Sequence, residues 1–138
     1  MHVCRGNWTT DESVLLQGAY DKLGKFFDAL DLDMLALEFS TPRAGEVEKL
    51  FSNNFLDTRV MLGFGCVNPR SEIVETPEEI VARVEELLQF LPPERIWLNP
   101  DCGFATFAKR PLNPYPIIQK KLENMVAASN ILREKYCK

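Results

Sequence analysis

Long apolar runs and clusters of basic residues are both missing from this chain of 138 residues. No stretch approaches the roughly 20 apolar residues that span a bilayer, so a membrane protein is not expected. Sixteen lysines and arginines stand against 20 acidic residues, and the net charge of −4 argues against nucleic-acid binding. The N-terminus lacks the pattern of a signal peptide, which predicts a cytoplasmic protein.

Internal repeats, low-complexity tracts and linker-like segments are also missing, so residues 1–138 are expected to form one domain. Hydrophobic residues make up 46% of the chain and charged residues 26%, as is ordinary for a globular protein with a core. In such a protein the cysteines are expected to be ligands or free thiols rather than disulfides. They are Cys4, Cys66, Cys102 and Cys137.

Apolar, strand-like runs alternate along the chain with helical patterns. The predicted strands cover residues 1–5, 32–39, 59–67 and 96–98. Helices are predicted over residues 13–30, over about 45–51, after the N-cap and capping-box pair Thr76 and Glu79, and over about 117–136. The first of these helices depends on the apolar spacing of Leu16, Tyr20, Leu23, Phe27 and Leu30.

This succession of four βα units predicts an α/β fold with a parallel sheet. An open doubly wound sheet and a (β/α)8 barrel of the TIM type both fit the pattern. Four units are half of the eight in such a barrel. We therefore expect residues 1–138 to form the C-terminal half of a barrel, which either joins a separate half or self-associates through open strand edges.

The residues best suited to chemistry fall at strand ends. His2 and Cys4 are two residues apart, so in a strand their side chains share one face. Glu38 closes the second predicted strand, and Cys102 follows the fourth. Because the carboxyl ends of parallel strands lie at one edge of a sheet, these four side chains can converge. Imidazole, two thiolates and a carboxylate suit tetrahedral zinc.

Less specific interpretations of the same residues remain open at this point. Glu38 could pair only with nearby Arg43, and Asp101 could simply cap a turn after proline. Cysteine is often just a small buried residue. This interpretation fits Cys66 best, whereas the penultimate Cys137 is expected to be exposed.

Three features together resemble the catalytic domain of cobalamin-independent methionine synthase. They are the His-x-Cys pair, the glutamate that ends an apolar strand, and the segment Asn-Pro-Asp-Cys-Gly at 99–103. The similarity extends from His2 to the final helix. The segments 5–7, 43–45 and 104–106 are most like those of the shorter members, which lack a duplicated N-terminal barrel.

The resemblance implies a (β/α)8 barrel and a zinc-dependent methyltransferase. Mapped onto this sequence, the zinc ligands would be His2, Cys4, Glu38 and Cys102. In that family zinc binds the sulfur of homocysteine, and methyltetrahydrofolate supplies the methyl group that makes methionine. Arg5, Asn7 and Asp101 would orient these ligands or the substrate.

Two departures from the family pattern widen the range of expected functions. The half barrel that carries much of the homocysteine pocket and the folate contacts does not precede His2. The stretch 66–69, Cys-Val-Asn-Pro, stands where the long enzymes have Asp-x-His-Ser, so their proton relay cannot be carried over. Three alternatives follow. The methyl donor could be a methyl-corrinoid, or the enzyme could transfer an alkyl group to another thiol such as coenzyme M. The chain could also be incomplete and non-catalytic until it joins a partner half.

Overall fold

A single parallel sheet organises the protein, whose structure, a computed structural model, describes residues 1–137. Its strands are β1 (His2–Val3), β2 (Met34–Glu38), β3 (Met61–Val67) and β4 (Ile96–Pro100). They lie side by side in the order β1–β2–β3–β4, and each neighbouring pair is parallel. This confirms the predicted α/β fold, and the consecutive order is that of neighbouring strands in a barrel.

The strand register gives the sheet two different faces. His2, Ala36, Gly63 and Trp97 are aligned across the four strands, so their side-chain positions share one face. Two of these positions, Ala36 and Gly63, are small, and Trp97 is 58% exposed. Leucines and phenylalanines of the opposite face are buried in the core, among them Leu35, Leu37, Leu62 and Phe64. One face of the sheet is therefore buried in the core, while the other leaves His2 and Trp97 exposed.

The two long helices match the sequence prediction. Helix α3 (Pro77–Leu87) follows the expected capping box, in which the Glu79 N–H donates to Thr76 Oγ1 and the Thr76 N–H donates to Glu79 Oε2. Helix α4 (Tyr115–Tyr136) packs beside it. None of the helices within residues 1–137 is long and apolar enough to cross a membrane.

The predicted helix over residues 13–30 is wrong. The segment forms two 3-10 helices, Glu12–Val14 and Tyr20–Leu23, and then a short α1 (Gly24–Ala29). Gly18 interrupts the pattern, because its φ of +131° lies outside the helical range and its N–H donates to the Arg43 carbonyl. The apolar spacing reflected burial of Tyr20 and Phe27 in the core rather than one continuous helix.

The predicted helix over residues 45–51 is also wrong in type. Residues Val47–Phe51 form a 3-10 helix, and the α-helix α2 (Leu56–Arg59) comes only afterwards. Gly45, at φ +76°, ends a preceding 3-10 turn, Pro42–Ala44. Leu50 and Leu56 are nevertheless buried in the core. The segment between β2 and β3 therefore packs in the core without forming one continuous helix.

Candidate metal centre

The four residues expected to bind zinc lie at the carboxyl-terminal edge of the sheet. Cys4 directly follows β1, Glu38 is the last residue of β2, and Cys102 comes two residues after β4. Since Val3 pairs with Leu37, the next step of the register brings Cys4 level with Glu38. Strand order and register thus assemble side chains that are almost 100 residues apart in sequence.

The ligand atoms approach one another closely. Those of His2, Cys4 and Cys102 lie within 4.8 Å of one another. Cys102 Sγ is 3.4 Å from Cys4 Sγ, 3.5 Å from His2 Nε2 and 3.2 Å from Glu38 Oε1. A tetrahedral zinc shell with metal–ligand bonds of about 2.0–2.3 Å has edges of about 3.3–3.8 Å. The spacing of His2, Cys4 and Cys102 therefore fits three positions around one zinc ion, and Glu38 adjoins them through its contact with Cys102.

His2 is held in the tautomer that a metal ligand needs. Its Nδ1 lies 2.9 Å from the Ala36 carbonyl oxygen, which can only accept a hydrogen bond. Nδ1 must therefore carry the proton, which leaves the Nε2 lone pair free on the side of Cys102. His2 and Cys4 are both exposed, so the centre is open to solvent on their side.

Glu38 divides its carboxylate between the centre and a buried arginine. Oε1 accepts from the Arg5 backbone N–H at 2.8 Å and from the Cys102 thiol. Oε2 accepts from Arg43 Nη2 at 2.8 Å. The side chains of Glu38 and Arg43 are only 2% and 5% exposed. The sequence left two alternatives for Glu38, an ion pair with Arg43 or a place among the candidate ligands. In the structure Glu38 contacts both Arg43 and Cys102.

Asp101 connects the end of β4 to the end of β2. Its Oδ1 accepts from the backbone N–H groups of Phe39 and Ser40 at 3.0 and 2.9 Å, and Oδ2 accepts from the Ser40 hydroxyl and from Arg70. A Cβ at Gly65 would lie 2.6 Å from Asp101 Oδ1, so only glycine admits this approach. Burial raises the pKa of Asp101, and hydrogen bonds from Ser40 and Arg70 oppose that rise.

The structure places Arg5 and Asn7 around the centre. Arg5 reaches Glu38 with its backbone N–H, while its guanidinium donates to the Gly18 and Arg43 carbonyls and lies 4.0 Å from the centre of the Tyr20 ring. Asn7 Nδ2 donates to the Gly103 carbonyl at 2.6 Å and so ties the loop after Cys4 to the loop that carries Cys102. Both contacts act on the ligand-bearing backbone.

The electrostatics of the centre favour a bound cation. Burial, followed by the neighbouring Cys4 and Glu38, raises the pKa of the Cys102 thiol. Two thiols and a carboxylate at these distances repel one another once ionised, and a divalent cation reverses that repulsion. The Gly6 N–H also donates to Cys4 Sγ at 3.4 Å.

Most of the chain matches a known protein family. The family model described as the catalytic domain of cobalamin-independent synthase matches residues 6–130. The chain belongs to the cobalamin-independent methionine synthase family. The matched residues include Glu38, Asp101 and Cys102 but begin after His2 and Cys4. The placement of those two side chains beside Cys102 is therefore an observation separate from the match.

Individual relatives in this family are longer proteins. The chain is 30% identical over 133 residues to a methionine synthase of Thermococcus kodakarensis and 34% identical over 134 residues to one of Sulfurisphaera tokodaii. These matches cover 96% and 97% of this chain and 33% of each relative. It is also 32% identical over 108 residues to a 5-methyltetrahydropteroyltriglutamate–homocysteine methyltransferase of Candida albicans, over 78% of this chain and 13% of the relative. The chain thus spans about a third of the length of the first two relatives.

The fold agrees with a solved member of the family. A B12-independent methionine synthase from Shewanella sp. W3-18-1, solved in complex with selenomethionine, superposes with a TM-score of 0.74 at 18% identity. The superposition covers 97% of this chain and 38% of that protein. At this identity the likeness concerns the fold alone, and it places the four βα units within a larger family structure.

Several charged residues around the centre were not singled out from the sequence. Glu12 and Arg70, with Arg43, Glu38 and Asp101, form what we call the charged cluster. Arg70 follows the end of β3, so the strand-end argument that selected Glu38 and Cys102 applied to it equally. Glu12 gave no comparable signal, because it begins the short 3-10 helix Glu12–Val14, whose position depends on the whole fold.

Cys66 lies outside the centre. It directly follows Gly65 on β3, so its side chain points to the opposite face from Glu38, where it is 1% exposed in the core. Its Sγ lies 3.6 Å from the Asn99 carbonyl oxygen. Burial raises the pKa of the Cys66 thiol to about 12.

This difference predicts thiol reactivity. In a variant in which Cys4 and Cys102 are both serine, we expect Ellman's reagent at pH 8 to label the exposed Cys137 rapidly. Cys66 should react at least about a thousandfold more slowly, since a pKa of about 12 instead of about 8.5 removes most of its thiolate. Urea should make both thiols reactive. Two fast thiols in the folded chain would show that Cys66 is not shielded.

Proposed function

We propose that this chain forms the zinc-binding part of an enzyme that methylates homocysteine to methionine. The observation that carries the proposal is the convergence of His2, Cys4 and Cys102 at zinc-ligand spacing, with Glu38 in contact with Cys102. The family relationship supports it, because relatives along nearly the whole chain are named methionine synthases. The substrates and the reaction are proposals, because this chain spans only about a third of the length of the methionine synthases that it matches.

In this proposal the four side chains hold zinc, and zinc supplies the Lewis acidity that lowers the pKa of a substrate thiol. The chain's own residues prepare the site. His2 presents Nε2 because Nδ1 is engaged by Ala36, and the Asn7–Gly103 contact holds the loop that bears Cys102. Glu38 is the weakest donor of the four, because Arg43 already neutralises its second oxygen.

The transfer itself joins the homocysteine sulfur to the methyl carbon while the bond from that carbon to its donor breaks. With methyltetrahydrofolate as donor, the departing nitrogen must also receive a proton. Asn68, which stands in the region of the family's proton relay, instead donates its side-chain amide to Glu12 at 2.9 Å. The proton must then come from outside this chain, or the donor is a methyl-corrinoid that needs none.

A cobalt-substituted chain tests the thiol chemistry directly. Co²⁺ bound by two cysteines gives thiolate-to-metal charge-transfer absorption, and a thiol substrate that joins the metal intensifies it. We expect L-homocysteine to change the spectrum and methionine, which has no thiol, to leave it unaltered. Coenzyme M in place of homocysteine distinguishes the two thiol substrates. A chain that shows no thiolate-to-cobalt absorption at all would contradict the proposal.

The rest of the enzyme is proposed to cover the open face of the sheet. Trp97 is 58% exposed on the face it shares with His2, and the outer edges of β1 and β4 have no neighbouring strand within residues 1–137. A second half barrel would pair with those edges and bury that face, which would complete a (β/α)8 barrel. Without it, we predict self-association through the same edges, which analytical ultracentrifugation measures.

Tryptophan fluorescence reports on this assembly. The chain has two tryptophans, Trp8 and Trp97, which are 53% and 58% exposed. In a Trp8→Phe variant we expect red-shifted emission from Trp97 that acrylamide quenches readily. Adding a separately expressed N-terminal half barrel of this family, in a tryptophan-free form, should shift the emission to the blue, reduce quenching and restore methionine formation. Activity restored without any change at Trp97 would place the partner on another surface.

A further inference from the structure

Arg70 is a fully buried arginine at the edge of the candidate centre. It follows β3, and its side chain has 0% exposure. Nη2 donates to Asp101 Oδ2 at 2.8 Å, and Nε donates to Glu12 Oε1 at 3.0 Å. A buried arginine with two carboxylate partners is costly to desolvate, so its position calls for a role beyond packing.

The third nitrogen of this guanidinium faces Glu38. Nη1 lies 4.0 Å from Glu38 Oε2 and is buried without a hydrogen-bond partner among residues 1–137. Arg70 therefore stands between two residues that border the metal ligands. Asp101 immediately precedes Cys102, and Glu38 is itself a candidate ligand.

We infer that Arg70 is a positioning residue that fixes Glu38 and Cys102 at metal-binding distance before a metal arrives. It acts through Asp101, whose hydrogen bonds to the Phe39 and Ser40 N–H groups attach the backbone before Cys102 to the backbone after Glu38. Arg70 holds the carboxylate that makes this connection and places a positive charge beside Glu38. This role rests on the proposed zinc function of the centre.

The planar fork of arginine explains why this residue type occupies the position. Nε and Nη2 point in fixed directions, so one side chain binds Glu12 and Asp101 at the same time while Nη1 faces Glu38. A lysine would keep the charge but present a single nitrogen. Glu12 follows β1, Glu38 ends β2 and Asp101 follows β4. Arg70, which follows β3, therefore connects the carboxyl ends of the other three strands.

The test compares Arg70→Met and Arg70→Lys with a control, Arg95→Met. Arg95 immediately precedes β4, at the opposite edge of the sheet, and also has a buried Nη1 without a hydrogen-bond partner in the described part of the chain. Zinc affinity is measured by competition with a chelator, under conditions in which circular dichroism shows each variant folded. We expect Arg70→Met to weaken zinc binding about 10- to 100-fold, Arg70→Lys less, and Arg95→Met less than about twofold.

A second readout needs no metal. In a Cys137→Ser background, the equilibrium between the Cys4–Cys102 thiol pair and its disulfide in a glutathione buffer reports how closely the two sulfurs are held. We expect the Arg70 variants to lower the effective concentration of this pair about tenfold and Arg95→Met to leave it unchanged. Arg70→Lys keeps the measurement possible if Arg70→Met does not fold.

The two readouts separate the possible failures. A wild-type chain that binds no zinc but shows the Arg70-dependent thiol equilibrium would contradict the proposed function and retain the positioning role. Folded Arg70 variants with wild-type zinc affinity and an unchanged thiol equilibrium would overturn the positioning role. Equal losses in the Arg70 and Arg95 variants would also overturn it, because they would show a general effect on stability.

Discussion

Replacing Cys102 with serine is expected to abolish zinc binding by the purified chain. Cys102 Sγ contacts all three other ligand atoms of the centre, so its loss removes a thiolate and the common neighbour of His2, Cys4 and Glu38. Wild-type protein purified with zinc should carry about one ion per chain, because the candidate ligands form a single centre. Metal analysis of both proteins by plasma mass spectrometry measures the difference.

Cys66→Ser is the matched control for this measurement. Cys66 is buried on the other face of the sheet, so its substitution should leave the zinc content unchanged even if stability falls. The Cys102→Ser chain must remain folded for the comparison to count, which near-ultraviolet circular dichroism establishes. Wild-type protein without zinc, or zinc retained after Cys102→Ser, would show that these side chains do not form the metal centre.

Substituting Asp101 with alanine is expected to cause the largest loss of stability. The change leaves Arg70 without a principal partner and the Ser40 N–H without its acceptor, while the Phe39 N–H keeps only its bond to the Gly65 carbonyl oxygen. Breaking a buried ion pair on one side typically costs about 3–5 kcal/mol. Urea denaturation should therefore show a fall of this order in the free energy of unfolding, together with weaker zinc binding.

Asp101→Asn distinguishes the charge from the hydrogen bonds. The amide oxygen can still accept from the two backbone N–H groups, so we expect a smaller loss than with alanine. Asp31→Ala provides the surface control, because this aspartate is exposed, and its effect should stay within about 0.5 kcal/mol. A change at Asp101→Ala no larger than that at Asp31→Ala would contradict the role given to the Asp101–Arg70 pair.

Local sequence patterns predicted the regular elements where packing and local preference agree. All four strands appear close to their expected positions, and helices α3 and α4 confirm the helices predicted after Thr76 and over about 117–136. The segment over residues 13–30 shows the limit of that reasoning. Its apolar residues do have helical spacing, but Gly18 takes a non-helical backbone conformation that its hydrogen bond to the Arg43 carbonyl stabilises. Periodicity within a segment cannot predict such a contact with a residue distant in sequence.

The sequence by itself determined which residues could bind a metal and at which end of the strands they lie. Residue type sets ligand chemistry, and strand ends follow from local hydrophobic patterns, so both are local properties. Only the tertiary structure decided that Cys4 and Cys102 approach to 3.4 Å and that Arg43 and Arg70 lie beside Glu38. Those contacts join segments up to 98 residues apart, and their distances depend on strand order and register, which no local pattern specifies.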